Sequence, residues 1–282
     1  MNIYKQRREL TAAVAKTKRA GKVVGFVPTM GALHGGHGNL IRFALEHSDV
    51  VVVSIFVNPT QFNNAEDLKN YPRTLDGDIK FLEQFNDKVI VFAPDTETVY
   101  GSEVKSRNYD FGGLEKVMEG AFRPGHFEGV GTVLSHLFDI VKPDIAFFGE
   151  KDFQQLQIIK KLVRIENIPI KIMAAPISRN TDGLAESSRN ARLTPKKREA
   201  APFIYKTLQS VKNAYSTKSI EKLKSWVKEQ FDKNDQLDLE YFEITDAETL
   251  QVVQDKKETV QPRAFIAVFA GDVRLIDTLA LS

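Results

Sequence analysis

The run Val50-Val51-Val52-Val53-Ser54-Ile55-Phe56-Val57 places the strongest constraint on what this chain can fold into. Its residues are almost all apolar and mostly β-branched, which favours an extended strand. It lacks the alternation of a strand with one solvated face, so both faces need cover, as in a parallel sheet wrapped by helices. The surrounding sequence supplies matching elements. Val23 to Val27, Val89 to Phe92, Ile145 to Phe148 and Ile170 to Ala174 read as further strands. His37 to His47, Asp76 to Phe85, Val130 to Val141 and Phe153 to Arg164 read as helices; in the first, Leu40, Ile41, Ala44 and Leu45 share a face. Strands separated by helices predict an α/β fold, a doubly wound parallel sheet.

The pattern changes after about residue 176. Pro195 to Lys212 and Ile220 to Phe231 read as amphipathic helices, and Leu237 to Ile244 and Ala264 to Ala270 as strands with alternating faces. That is a smaller α+β domain, antiparallel in its sheet. A boundary at Ala175-Pro176-Ile177 divides the chain into 1–175 and 176–282, and 282 residues suit two modest domains. The stretch Asp95 to Gly125 is the least regular; it reads equally as a lid or as an ordinary surface excursion. With 39 basic and 37 acidic residues, the net charge of +2 gives no reason to expect nucleic acid as a partner. Cysteine is absent, which excludes disulfides, thiolate nucleophiles and cysteine-ligated metals. Met1 to Leu10 is charged and lacks the apolar core of a secretory signal. No apolar run approaches a membrane span. A cytoplasmic protein with no membrane partner is expected.

Four polar motifs sit where strands end. The first is Pro28-Thr29-Met30-Gly31-Ala32-Leu33-His34-Gly35-Gly36-His37, between the first strand and the next helix. Ligands of open α/β sheets bind beyond the carboxyl ends of strands. A helix start offers N–H groups and partial positive charge to phosphate, and glycines allow close backbone approach. The two histidines can donate to phosphate oxygens and stabilise charge in the transition state. They can also cap the helix, or ligate a metal, which would need a third ligand, and the Glu of HExxH is absent. The second motif is Val57-Asn58-Pro59-Thr60-Gln61-Phe62, in which Gln61 can both donate and accept. The third is Phe148-Gly149-Glu150-Lys151-Asp152-Phe153-Gln154-Gln155. There Lys151 can meet phosphate, and Asp152 ribose or Mg²⁺; a solvated helix start is the plain alternative. The fourth is Ser178 to Asn190, whose Ser187, Ser188 and Arg189 offer hydroxyls and a guanidinium fork. It is either a mobile donor loop or a linker.

The order of these motifs resembles the HIGH and KMSKS signatures of the adenylyl-transferring superfamily. Five stretches between Phe26 and Leu193 resemble the pantothenate synthetase family: the Pro28–His37 motif, Phe56 to Phe62, Arg123 to Val130, Gly149 to Gln155 and Asp182 to Asn190. The resemblance implies a Rossmann-like first domain. It implies ATP-dependent condensation of pantoate with β-alanine through pantoyl adenylate, releasing AMP and pyrophosphate. It places Met30, Gly31, Ala32, Leu33, His34, Gly35, Gly36 and His37 along one wall of the ATP site, with His37 as the proton donor. By the same resemblance, Gly149, Glu150, Lys151 and Asp152 would hold ribose and phosphate, and Glu186, Ser187, Ser188 and Arg189 would close over the triphosphate. Gln61 and Gln155 would bind pantoate, with Gln61 also near β-alanine. Asn58, Arg123 and His126 are implied as lining or shaping the substrate pocket. Mg²⁺ and a homodimer formed through the first domain are implied as well. Gly35 stands where an acidic residue is common. Glu186 replaces a small or apolar residue or lysine, so its backbone rather than its carboxylate is expected to serve ATP. Another nucleotidyltransferase of the superfamily, which would keep AMP on its product, is the main alternative. A non-catalytic nucleotide-binding regulator is the other.

Overall fold

The computed structural model describes residues 1–62, 65–256 and 260–282, which divide into two compact units. The first comprises Met1–Gly149 and Gln155–Ala175, the second Glu150–Gln154 and Pro176–Ser282. The short segment Glu150–Gln154, which includes the first two residues of the helix Phe153–Ile165, thus groups with the second unit, although the sequence reading leaves it in the first domain.

The first unit runs β1 (Asn2–Tyr4), α1 (Arg7–Arg19), β2 (Val24–Thr29), α2 (Gly35–Glu46), β3 (Val50–Ile55), α3 (Ala65–Asn70), α4 (Leu75–Leu82), β4 (Val89–Phe92), α5 (Thr96–Tyr100), α6 (Met118–Phe122), α7 (His126–Val141), β5 (Ile145–Gly149), α8 (Phe153–Ile165) and β6 (Lys171–Ala175). Its six strands are parallel, in the order β1-β4-β3-β2-β5-β6. From β2 the chain winds one way through β3 and β4, then returns to build β5 and β6 on the other side. The order reverses between β2 and β5, and ligands of such sheets bind outside the carboxyl ends at that crevice. The valine run forms β3, and Val51, Val52 and Val53 are fully buried. Each such side chain contributes roughly 1.5–3 kcal/mol relative to exposure. Helix α7 extends back to His126, four residues before the apolar run that announces it.

The second unit continues with α9 (Pro195–Ala200), α10 (Phe203–Ala214), α11 (Ile220–Asp232) and an antiparallel sheet of β7 (Asp238–Asp246), β8 (Pro262–Ala270) and β9 (Val273–Ala280). The helix expected over 195–212 is two helices. Pro202 lacks the N–H that an unbroken helix needs there and becomes the N-cap of α10. Ile204, Leu208 and Val211 of α10 and Leu223, Val227 and Phe231 of α11 share one core with Ile244, Ile266 and Val268 of the sheet.

Arg179 fastens the polar segment that precedes α9. Its guanidinium donates to both oxygens of Asp277 at 2.6 and 2.8 Å and to the Gly183 carbonyl at 3.1 Å, while lying 3.7 Å from the Tyr205 ring centroid. Gly183 has φ +94, and a Cβ there would meet Tyr205 Cδ1 at 2.6 Å, so glycine is required twice over. Removing Asp277 strands a largely buried guanidinium. Asp277→Ala is therefore expected to cost about 3–5 kcal/mol, read as a lowered urea midpoint; a midpoint equal to the parent's would refute this anchoring.

Candidate active site

At the end of β2, Thr29 Oγ1 donates to the Ser54 carbonyl at 2.6 Å and accepts from Gly31 N at 3.2 Å, carrying the chain off the sheet. Gly31 and Ala32 follow with φ +82 and +51. Their left-handed turn is held from outside the motif. Asp78 of α4 accepts from Ala32 N at 3.1 Å and from Leu33 N at 2.7 Å.

The histidines then start α2 as a reciprocal capping box. His34 is the N-cap and its Nδ1 accepts from Gly36 N at 3.1 Å; His37 Nδ1 accepts from His34 N at 3.3 Å. The capping role and a phosphate role are compatible, because they use different nitrogens. A backbone N–H can only donate, so Nδ1 of each ring carries no proton while these bonds are made. The neutral rings then bear their hydrogen on Nε2. The rings lie 4.1 Å apart, centroid to centroid. Gly35 and Gly36 form the first turn behind them.

Beyond β3, Asn58 is buried and its carboxamide is fully used. Its Oδ1 accepts from Thr60 N at 3.3 Å, Thr60 Oγ1 at 3.1 Å and the Tyr100 hydroxyl at 2.5 Å. Its Nδ2 donates to the Gly129 carbonyl at 3.2 Å and to Gln61 Oε1 at 3.0 Å. Asn58 therefore shapes the site. The Thr60 N–H and the Gly129 carbonyl cannot exchange roles, so they fix which way the Asn58 amide points. That in turn fixes Gln61: Oε1 faces Asn58, and Nε2 is the donor end, 2.9 Å from Met30 Sδ. The contact brings the first and second motifs together. Helix α7 approaches so closely that a Cβ on Gly129 would lie 2.3 Å from the Thr60 carbonyl oxygen.

His126 supports the same turn with the opposite tautomer. Arg123 Nη1 lies 3.2 Å from His126 Nε2, and His126 Nδ1 lies 3.0 Å from the Gln61 carbonyl. A guanidinium only donates, so Nε2 accepts and Nδ1–H donates to the backbone of Gln61.

Gly149 ends β5, beside β2. The next residues belong to the second unit. The Glu150 carboxylate accepts from Arg263 at 3.2 Å, so that side chain is committed within the protein. Lys151 Nζ lies 3.6 Å from Asp152 Oδ1, with Lys151 mostly buried and Asp152 half exposed. Gln155 is half-buried in the first turn of α8. Gln61 and Gln155 thus follow β3 and β5, the two strands that flank β2.

In the second unit, Ser187 Oγ accepts from Arg189 N at 3.3 Å and caps the 3-10 turn Ser188–Arg192; the Arg189 side chain is exposed. The Glu186 carboxylate accepts from Ser178 Oγ at 2.5 Å, and its N–H donates to the Ser178 carbonyl at 2.9 Å. Ser178, a position with no role in the sequence reading, thereby takes up the carboxylate.

Two residues bonded into these turns, Asp78 and Tyr100, have no role in the sequence reading, and Gly129 enters it only as part of the Arg123–Val130 stretch. Asp78 reads as an ordinary acidic residue in a helix's first turn, and Tyr100 lies in the irregular stretch Asp95 to Gly125.

Comparison with known proteins follows the same lines. The sequence model of the family described as Pantoate-beta-alanine ligase matches residues 2–280. Pantothenate synthetase of Christiangramia forsetii is 52% identical over 282 residues, the whole of both chains. That of Flavobacterium psychrophilum is 47% identical over 281 residues, 100% of each chain. The crystal structure of pantothenate synthetase from Thermus thermophilus matches with TM-score 0.91 and 36% identity, over 100% of this chain and 99% of that one. The Francisella tularensis pantoate-beta-alanine ligase, complexed with beta-gamma ATP and beta-alanine, matches with TM-score 0.81 and 35% identity, over 100% and 98%.

Burial pushes the Tyr100 phenol up to about 12, against about 10 for a free tyrosine. Between those values the folded protein keeps a proton that the unfolded chain has lost, so this part of the stability disappears as pH rises through the window. Tyr100→Phe is expected to show a smaller fall in Tm between about pH 10 and 12 than the parent; equal falls would locate the alkaline loss elsewhere.

Proposed function

The chain belongs to the pantoate-beta-alanine ligase family, and from that premise we propose that it joins (R)-pantoate to β-alanine through a pantoyl-adenylate formed at the carboxyl ends of β2, β3 and β5. The observation that carries this reading is the double histidine cap. It starts α2 with two neutral rings whose hydrogens lie on Nε2, at a helix N-terminus, an arrangement suited to phosphate oxygens.

In the first step the pantoate carboxylate oxygen attacks the α-phosphorus of ATP. The bond to the β-phosphate bridging oxygen breaks, and pyrophosphate leaves with the electron pair. Met30 to His37 line the nucleotide. His34 and His37 donate to phosphate oxygens where negative charge grows, with His37 closest to the proton-donor role. A neutral donor on Nε2 stabilises that charge without giving up the cap on Nδ1. Gly149, Glu150, Lys151 and Asp152 bind ribose and phosphate, Glu150 through its backbone because Arg263 holds its carboxylate. Ser187, Ser188 and Arg189 donate to the triphosphate, and Glu186 serves through its backbone carbonyl, its N–H being held by the Ser178 carbonyl. Mg²⁺ is part of the substrate, as MgATP.

Gln61 and Gln155 bind pantoate. The fixed polarity of Gln61 suits an oxygen acceptor on the substrate, a carboxylate or hydroxyl oxygen, and the same Nε2–H serves the carboxylate of β-alanine. In the second step the β-alanine amine, having lost a proton, attacks the acyl carbon of the mixed anhydride. The acyl C–O bond breaks, and AMP leaves. AMP is a good leaving group where oxide is not, which is the reason for adenylation. A homodimer and a cytoplasmic location rest on the family resemblance alone.

An assay with each substrate omitted in turn tests the reading. AMP is expected to accumulate only with pantoate, β-alanine and ATP all present, while pantoate and ATP alone release pyrophosphate once per active site and no further until β-alanine is added; ADP as the product, or AMP retained on the product, would reject it. His37→Ala removes one transition-state donor and is expected to slow pyrophosphate release by about 10²–10³-fold, while the lost cap costs about 1 kcal/mol of stability. An unchanged rate would remove His37 from the chemistry.

A further inference from the structure

Asp78 is 2% exposed and lies four residues into α4, after the Thr74 N-cap. Among the described residues no lysine, arginine or histidine forms an ion pair with it. A carboxylate withdrawn from water is costly unless hydrogen bonds replace its hydration. Its bonds go to the turn that follows β2: Oδ1 to Leu33 N at 2.7 Å, and Oδ2 to Ala32 N at 3.1 Å, with Thr74 Oγ1 adding a weaker donor at 3.4 Å. Both acceptor oxygens are committed to two successive backbone amides.

Those amides belong to the segment that needs outside support. Gly31 and Ala32 are both left-handed, and for Ala32 that conformation is disfavoured. The carboxylate also packs on the turn: a Cβ added to Gly31 would lie 2.9 Å from Asp78 Oδ2. A carboxamide cannot imitate this fork. Its oxygen accepts one N–H, while its NH₂ group turns donors toward the other N–H.

We propose that Asp78 is a positioning residue for the adenylation step, its buried carboxylate holding the Met30–Leu33 backbone in the shape on which the nucleotide sits. The inference rests on the assignment of Met30–His37 to ATP. Asp78 acts through the turn and touches no reacting atom. Its loss therefore alters the ATP-dependent step and leaves β-alanine binding alone.

Asp78→Asn, with the exposed Asp76→Asn on the same helix turn as control, separates these effects. For Asp78→Asn, pantoate-dependent pyrophosphate release is expected to fall on the order of 10- to 100-fold, with a raised KM for ATP and an unchanged KM for β-alanine. Asp76→Asn is expected to match the parent. A general loss of structure would lower Tm without dividing the two KM values. Asp78→Asn with ATP parameters within about twofold of the parent, an effect too small for a misplaced turn, overturns the proposal.

Should Asp78→Asn not fold, amide hydrogen exchange in the ligand-free parent decides. Protection at Ala32 and Leu33 supports the carboxylate fork, and unprotected exchange at both refutes it. If the parent itself releases no pyrophosphate with pantoate and ATP, the functional reading fails instead, and the exchange measurement still tests the fork.

Discussion

The Asn58 carboxamide ties together the turn after β3 and the helices α5 and α7. It receives the Tyr100 hydroxyl from α5 and the Thr60 amide from its own turn, and it donates to the carbonyl of Gly129 in α7 and to Gln61. A strand end leaves backbone groups without ladder partners, and buried groups of that kind must be paired. Asn58 does this with one planar group that satisfies a donor on one side and an acceptor on the other. The close approach of α7 at Gly129 makes the geometry possible, and Gln61 takes its orientation from it.

The same economy recurs after β2. The histidines that suit phosphate also close the first turn of α2, and a carboxylate from α4 holds the turn before them. Side-chain caps at strand ends and helix starts thus double as the positioning scaffold of the site. In the second unit the pattern is ionic: Arg179 ties the segment leading to Ser187 onto β9 through Asp277, and Arg263 ties Glu150 onto β8.

Much of this was legible in the sequence, for identifiable reasons. The valine run announces a two-sided strand because nothing polar interrupts it but Ser54. The His34–His37 motif stands out because glycines and histidines follow a strand directly. Other elements are hidden by their chemistry. β1 has three residues, and α1 buries only Leu10 and Val14 among charged neighbours. β9 is obscured by Asp277, a charge at a buried strand position whose partner lies 98 residues away. Asp78 is concealed differently: an acid in the first turn of a helix already has a sufficient local reason to be there. Its contacts, 45 and 46 residues back along the chain, exist only in three dimensions. The partner of Glu186 is of the same kind, since its carboxylate is taken up by Ser178, eight residues away.

The chain of amides from Thr60 to Gln61 behaves as a rectifier. Its sense is imposed by two backbone groups that have no alternative protonation state, and it passes through two carboxamides that do not titrate. The hydroxyls bonded to it come from Thr60 and from Tyr100, which keeps its proton up to about pH 12. The donor end of Gln61 therefore keeps its sign across the whole range in which enzymes work. Acidity cannot reverse the direction in which Gln61 points its donor.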